Sequence, residues 1–245
     1  MHFRKIFLLA VFSSAFFFSC RKDKVIPDIT AGMVASFSLN GGAFDSLNNI
    51  TGNSHTVVAT KNRFNHENEA MKFTSTDSSF IDFGDHANYS FPSNQFTINC
   101  WVKVEDTISA GAILSKRGAG GPFEYSLDNH FSHAVFNLDN WSPDGNGCVY
   151  GVDPLKSSAS LKLNAWQMIT YVADGSSLKV YADGVLNSEV DAHIANKFFG
   201  DTDAPLMFGV GGGWGVNYYF SGSIDDVKFY NRALTEEQVK YLFQK

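Results

Sequence analysis

The sequence predicts an all-β fold, a two-sheet antiparallel β-sandwich with one short C-terminal helix. Three observations predict it. Short segments of period-two alternation recur along the chain, separated by Gly, Asn, Asp and Ser, the pattern of sandwich strands. Asp183-Gly184 stands between two such segments, and both positions of the tight turn this implies favour φ > 0. A single amphipathic stretch with a clear start signal follows only at the end of the chain.

The elements follow in order. Met1–Ser19 has Arg4 and Lys5 ahead of an apolar run from Ile6 to Phe18, the form of a secretory signal. Residues 20–31 form a short charged tether containing Pro27, and the domain spans 32–245. Met33, Ala35, Phe37 and Leu39 alternate with Val34, Ser36 and Ser38 in a first strand. Phe96, Ile98, Cys100, Val102 and Val104 alternate with Thr97, Asn99, Trp101 and Lys103. Trp166, Met168, Thr170 and Val172 alternate with Gln167, Ile169, Tyr171 and Ala173. In these two segments the second face also carries large side chains, so that face of the sheet should be covered or bind something. Leu178–Ala182 and Val185–Val190 flank the Asp-Gly turn, and Leu206–Gly209 and Phe220–Tyr230 complete the set. Thr235 is a good N-cap with Gln238 at N3, and Leu234 and Val239 are placed as a hydrophobic staple. Val239, Leu242 and Phe243 make one apolar stripe.

The formal charge is −6. Removing Met1–Ser19 takes away Arg4 and Lys5, which leaves 17 basic against 25 acidic residues and a charge of −8. An acidic chain without a basic stripe argues against nucleic acid as a partner. Of three cysteines, Cys20 follows the apolar run. Cys100 sits in a strand pattern as a small core residue, and a disulfide with Cys148 stays open, since sequence does not show that the two meet.

Ser19-Cys20 resembles a bacterial lipobox, of the lax kind found in Bacteroidetes, with acylated Cys20 as the mature N-terminus. This implies a lipid-anchored protein of the bacterial outer membrane, facing the periplasm or the cell surface. The domain resembles the LamG-like (laminin G type 3) group of the concanavalin A-like lectin/glucanase superfamily. Gly32–Gly41 is similar to its opening strand, and Phe96-Thr97-Ile98-Asn99-Cys100-Trp101-Val102-Lys103 to a central one. Asn164-Ala165-Trp166 and Leu178-Lys179-Val180-Tyr181-Ala182-Asp183-Gly184 follow the family order, and Gly222–Thr235 is the most specific match. The resemblance implies a jelly roll, often with one structural calcium ion. The loop of Asp45, with Asn48, Asn49, Gly52 and Asn53, offers oxygens of the kind Ca²⁺ takes. Asp225 shares strand parity with Val227 and Phe229, which points its carboxylate toward the buried side, while Asp226 faces solvent. By resemblance, Asp45, Asn53 and Asp225 come together around the ion. The alternative is that Asp45 caps a turn and that Asp225 pairs with a backbone N–H or a lysine.

No reaction is expected. The full Glu-x-Asp-x-x-Glu spacing of paired glycosidase carboxylates is absent, at Glu124 and at Glu189 alike. His130-Phe131-Ser132-His133 lacks the glutamate of a zinc-protease helix and reads as a loop. Gly209–Gly215 follows a strand without opening a helix, so it is no phosphate cradle. Two loops set a tryptophan among Asn, Asp and Gly: Leu138–Asn146, with Asn140, Trp141 and Asp144, and Gly211–Tyr219, with Trp214, Asn217 and Tyr218. Loop aromatics of this kind mark a binding surface, unless they fold back over the core. Trp101 and Trp166 read as core. The expected function is non-catalytic binding of a glycan or polysaccharide, with a protein-interaction or adhesion module as the alternative.

Overall fold

The computed structural model describes residues 26–91, 93–106, 110–117, 123–130, 132–138, 158–191, 202–213 and 216–245. In chain order the strands begin with β1 Met33–Phe37, β2 Phe44–Asp45, β3 Ile50–Thr51, β4 Asn53–His55 and β5 Val58–Thr60. They continue with β6 Ala70–Phe73, β7 Phe80–Asp82, β8 Gln95–Val104, β9 Gly111–Arg117 and β10 Phe123–His130. Then come β11 His133–Leu138, β12 Ser158–Ser160, β13 Trp166–Asp174, β14 Ser177–Ala182 and β15 Val185–Asp191. Last are β16 Leu206–Phe208, β17 Val210–Gly213, β18 Val216–Tyr219, β19 Gly222–Tyr230 and the helix α1, Glu236–Phe243.

These strands make two sheets. The first runs β15-β14-β13-β8-β19-β1-β2-β3, with β6 on the remaining edge of β19 and β5 beside β6. The second runs β12-β11-β10-β9-β16-β7-β4, and the hairpin β17–β18 joins it beside β9. Among the described residues the strand pairs are antiparallel except β9–β18, where Tyr219 is opposite Ala112, and an isolated parallel bridge joins Val104 to Leu163.

Alternation decides what lies between the sheets. Phe96, Ile98, Cys100, Val102 and Val104 of β8 face inward with Ile169, Tyr171 and Ala173 of β13. Opposite them stand Leu114, Tyr125, Leu127, Phe136 and Phe208 of the second sheet. Phe37 meets Phe83 and Phe208 edge-on, with ring centroids 4.7 and 5.0 Å apart. Truncating such a ring costs about 3–5 kcal/mol. Cys100 is a free thiol inside this layer, and burial pushes its pKa up to about 12. Cys148, the partner considered for it, lies outside the described residues, as do residues 1–19 and Cys20.

The outer face of the first sheet is covered, as its apolar second face implies. Trp101, Met168, Val172 and Tyr230 pack there with Leu234, Val239 and Leu242 at the start and inner side of α1. The capping box forms: Gln238 N donates to Thr235 Oγ1 at 3.3 Å, and Thr235 N to Gln238 Oε1 at 2.9 Å. Residues near the end of the expected tether belong to this face. Ile29 packs on the same cluster, and the Asp28 carbonyl accepts from Arg232 Nη2 and Gln238 Nε2. The Asp183-Gly184 turn is as expected, with φ of 53° and 77°.

One local irregularity governs the site below. Asp225 is opposite Trp101 and Lys228 is opposite Asn99, so β19 carries an extra residue at Asp226, whose φ is 46°. A bulge of this kind resets side-chain parity. Ile224, Val227 and Phe229 face the core, while Asp225 faces outward beside Trp101.

Candidate functional site

The expected metal ligands are not brought together. Asp45 is opposite Phe37 in the β1–β2 pair and is fully buried on the inner face. Its Oδ1 accepts from the backbone N–H groups of Ser36 (3.1 Å), Leu47 (3.0 Å) and Asn48 (3.4 Å). Its Oδ2 accepts from Asn48 Nδ2 (2.6 Å) and the Tyr89 hydroxyl (3.1 Å). Hydrogen-bond donors thus surround this carboxylate where Ca²⁺ would need oxygens. Tyr89 is held protonated, mainly by burial and then by the Asp45 charge. Asn53 is exposed on β4 of the other sheet, opposite Asp82. Asp225 lies on the opposite face of its sheet from Asp45, because of the bulge. The set Asp45, Asn53 and Asp225 therefore does not fit one ion. Among the described residues no group of three or more His, Cys, Asp or Glu is arranged to hold a metal.

Asp225 is buried all the same, and an arginine answers it. Arg63 Nη1 lies 3.0 Å from Asp225 Oδ2 and 2.8 Å from Asp226 Oδ2. Its guanidinium carbon stands 4.6 Å from the Trp101 ring and 4.4 Å from the Phe64 ring. The loop that carries Arg63 is shaped by Asn62, whose Oδ1 accepts from the N–H groups of Phe64 and His66. Desolvation, then the charge of Asp226, raise the Asp225 pKa to about 7 against the opposing pull of Arg63. Arg63, Phe64, Trp101, Trp166, Asp183 and Phe243 line a shallow hollow of about 330 Å³ on this outer face. Phe64 is 54 % exposed and Phe243 38 %. Trp101 is buried as expected, while Trp166 is half-buried at the rim.

A second concavity lies on the outer face of the second sheet, with a volume of about 310 Å³. Its floor is Ala110, Gly111, Ala112 and Val135, with Gly211 of β17 at one side. The Gly211–Ala112 contact requires glycine, since a Cβ there would stand 2.7 Å from Ala112 Cβ. Its polar groups are Arg117, Asp128 and His130 from β9 and β10, and its aromatic wall is Tyr218, which is 44 % exposed. Ser126 Oγ donates to Asp128 Oδ2 at 3.0 Å, which fixes that carboxylate. A small floor, an exposed ring and fixed polar groups can hold a ligand between stacking and hydrogen bonds.

Sequence reasoning found part of this cleft. Tyr218 lines it, and Asn217 is exposed next to it, with Nδ2 donating to Tyr219 Oη at 3.3 Å. Asn140, Trp141, Asp144 and Trp214 lie outside the described residues. The glycine-rich run expected as a loop is largely the hairpin β17–β18. His130 and His133, expected in a loop, are cross-strand partners at the β10–β11 turn, and His130 reaches the cleft. Arg117 and Asp128 were missed, and no local motif marks them, because neighbouring strands bring them together.

Two stacked antiparallel sheets, one covered by a helix and the other bearing an open cleft, define a jelly-roll domain of the lectin-like class. The chain belongs to the concanavalin A-like lectin/glucanases superfamily, whose family model matches residues 75–240. Among solved structures it is similar to domain 4 of AbnA, a GH43 extracellular arabinanase from Geobacillus stearothermophilus, in complex with arabinotriose. That likeness has 21% identity and a TM-score of 0.62, over 86% of this chain and 98% of that one. It is also similar to the binding domain of Paraclostridial Mosquitocidal Protein 1 (17% identity, TM-score 0.66, 86% of this chain and 52% of that). A third is the botulinum neurotoxin serotype D ligand binding domain in complex with N-acetylneuraminic acid (13% identity, TM-score 0.62, 87% and 50%). The chain thus spans about half the length of these toxin chains.

Proposed function

We propose that this domain is a non-catalytic glycan-binding module and that its ligand lies in the cleft of Arg117, Asp128, His130 and Tyr218. The observation that carries this reading is the cleft's composition. Tyr218 offers a face for a sugar ring, Asp128 accepts from hydroxyls, and Arg117 donates through a planar fork. The small residues of the floor let a ring lie close to the backbone. The arabinotriose complex of the arabinanase domain and the N-acetylneuraminic acid complex of the toxin domain support it at the level of fold. Among the described residues the lining contains one carboxylate, Asp128, whereas glycoside cleavage takes a pair. Screening the domain on a broad glycan array should give ligands whose binding is lost in Tyr218→Ala. An array without a single ligand would sink the reading.

A second reading is a protein partner, favoured by the exposed rings of Phe64 and Phe243 on the opposite face. It expects Phe64→Ala, and not Tyr218→Ala, to abolish capture of that partner. In either case Cys20 is the proposed lipid anchor at the outer membrane, on the strength of Arg4, Lys5 and Ser19-Cys20. Cys20→Ala should move the protein from the membrane to the soluble fraction, and continued membrane association would remove that proposal.

A further inference from the structure

The end of the sandwich nearest β9 holds an ammonium in a cage of oxygens. Lys116 is fully buried. Its Nζ lies 2.8 Å from Asp85 Oδ1, 2.8 Å from Glu124 Oε1, 2.8 Å from the Ala204 carbonyl and 3.1 Å from the Thr202 carbonyl. Four oxygens thus surround a group with three N–H bonds. Glu124 is 1 % exposed, and its Oε1 also accepts from Thr202 N, Thr202 Oγ1 and Ser90 Oγ at 2.9, 2.8 and 3.3 Å. Its Oε2, buried in the same place, has no hydrogen-bond partner. Two carboxylates therefore face one ammonium, and one of their oxygens is unspent.

We propose that Lys116 is a resident cation filling a site of divalent-metal character, which fastens the segment before β16 to the ends of β9 and β10. The donor set is hard: Asp85 Oδ1, Glu124 Oε1, and the carbonyls of Thr202 and Ala204, with Glu124 Oε2 unpartnered on the same carboxylate. That is the set Ca²⁺ takes, at about 2.3–2.6 Å with water completing the shell. The charge also fits a divalent ion better than the ammonium, since two carboxylates balance it. The oxygens now stand at ammonium distances and would close in by only a few tenths of an ångström. The side chain covalently supplies what a bound ion would otherwise supply. A metal is kept out because the aliphatic stem and Nζ occupy the space.

The test is to remove the ammonium and leave its room. Lys116→Ala should lower the melting temperature by roughly 10 °C, as expected when one partner of a buried ion pair is lost. Millimolar CaCl₂ should restore most of that loss, and so should n-propylammonium chloride, a free copy of the missing group. The wild-type protein should respond to neither. The proposal is overturned if CaCl₂ does not raise the melting temperature of Lys116→Ala, even where n-propylammonium does, or if CaCl₂ raises that of the wild type equally. Should the variant not fold in plain buffer, refolding it with and without CaCl₂ gives the same reading: a fold recovered only with calcium supports the cage, and no fold in either overturns it.

Discussion

Arg63 meets Asp225 at 3.0 Å beneath the Trp101 ring, on the outer face of the first sheet. The pair exists because the bulge at Asp226 turns Asp225 away from the core side. Arg63 is shared, since Asp226 lies 2.8 Å from the same nitrogen. One guanidinium faces two adjacent carboxylates in a poorly hydrated place, and burial prevails at Asp225, whose pKa rises to about 7.

A pH dependence follows with a defined sign. Asp225 has an ordinary unfolded pKa near 3.9 and a raised folded one. Its contribution to stability is then fully present below about pH 4 and is lost as the pH climbs through 7. Asp225→Asn removes this titration. The wild type should lose on the order of 1–3 kcal/mol relative to Asp225→Asn between pH 4.5 and 8. Melting curves of both proteins across that range check it. A constant difference between the two would contradict the assignment.

Asp45 supports a prediction about chelation. Five donors saturate its carboxylate, including the buried Tyr89 hydroxyl. EDTA should leave the melting temperature unchanged. Asp45→Ala strands those donors, which costs about 2–4 kcal/mol and lowers the melting temperature by roughly 5–15 °C. A drop of several degrees in EDTA, absent from Asp45→Ala, would instead reveal an ion at this loop.

The fold was legible wherever one residue reports one face. Phe96, Ile98, Cys100, Val102 and Val104 keep strict alternation, so the inner face of β8 could be read directly. Thr235 with Gln238, and Asp183 with Gly184, carry their geometry in the residue types themselves. Asp225 could not be read, because its direction depends on one extra residue in β19 and Asp226 is no glycine to announce it. Lys116 was equally opaque. In Ile113-Leu114-Ser115-Lys116-Arg117 it looks like a solvated strand end, and its burial comes from Asp85 and Ala204, both far away in sequence. The cleft was half legible: Tyr218 belongs to an aromatic glycine-rich run, while Arg117, Asp128 and His130 meet only through strand pairing.

Gly184 is doubly constrained. Its φ of 77° is strained for any L side chain, and a Cβ there would stand 2.9 Å from Phe243 Cβ of the helix. Gly184→Ala should cost about 1–3 kcal/mol from both sources. Asp183→Asn keeps a residue suited to the turn and an oxygen to accept from Met168 N, so it should change stability by less than about 1 kcal/mol. Chemical denaturation of the two variants distinguishes them. Equal stability would mean that α1 does not rest on this turn.

The cleft makes a prediction separable from stability. Tyr218 is 44 % exposed, so Tyr218→Ala should leave the melting temperature within about a degree of wild type. If its ring carries a sugar, the same change should weaken binding about tenfold, for a loss of roughly 1–2 kcal/mol. Tyr218→Phe should retain most of the affinity, because stacking uses the ring and not the hydroxyl. Asp128→Asn should discriminate among ligands, since it keeps one accepting oxygen and replaces the other with a donor. Isothermal titration of the four proteins with one array-selected glycan reads all of this together. If Tyr218→Ala binds as tightly as wild type, the ligand does not rest on this wall of the cleft. If Tyr218→Phe loses as much as Tyr218→Ala, the hydroxyl and not the ring carries the contact, and the cleft recognises its ligand by hydrogen bonds alone.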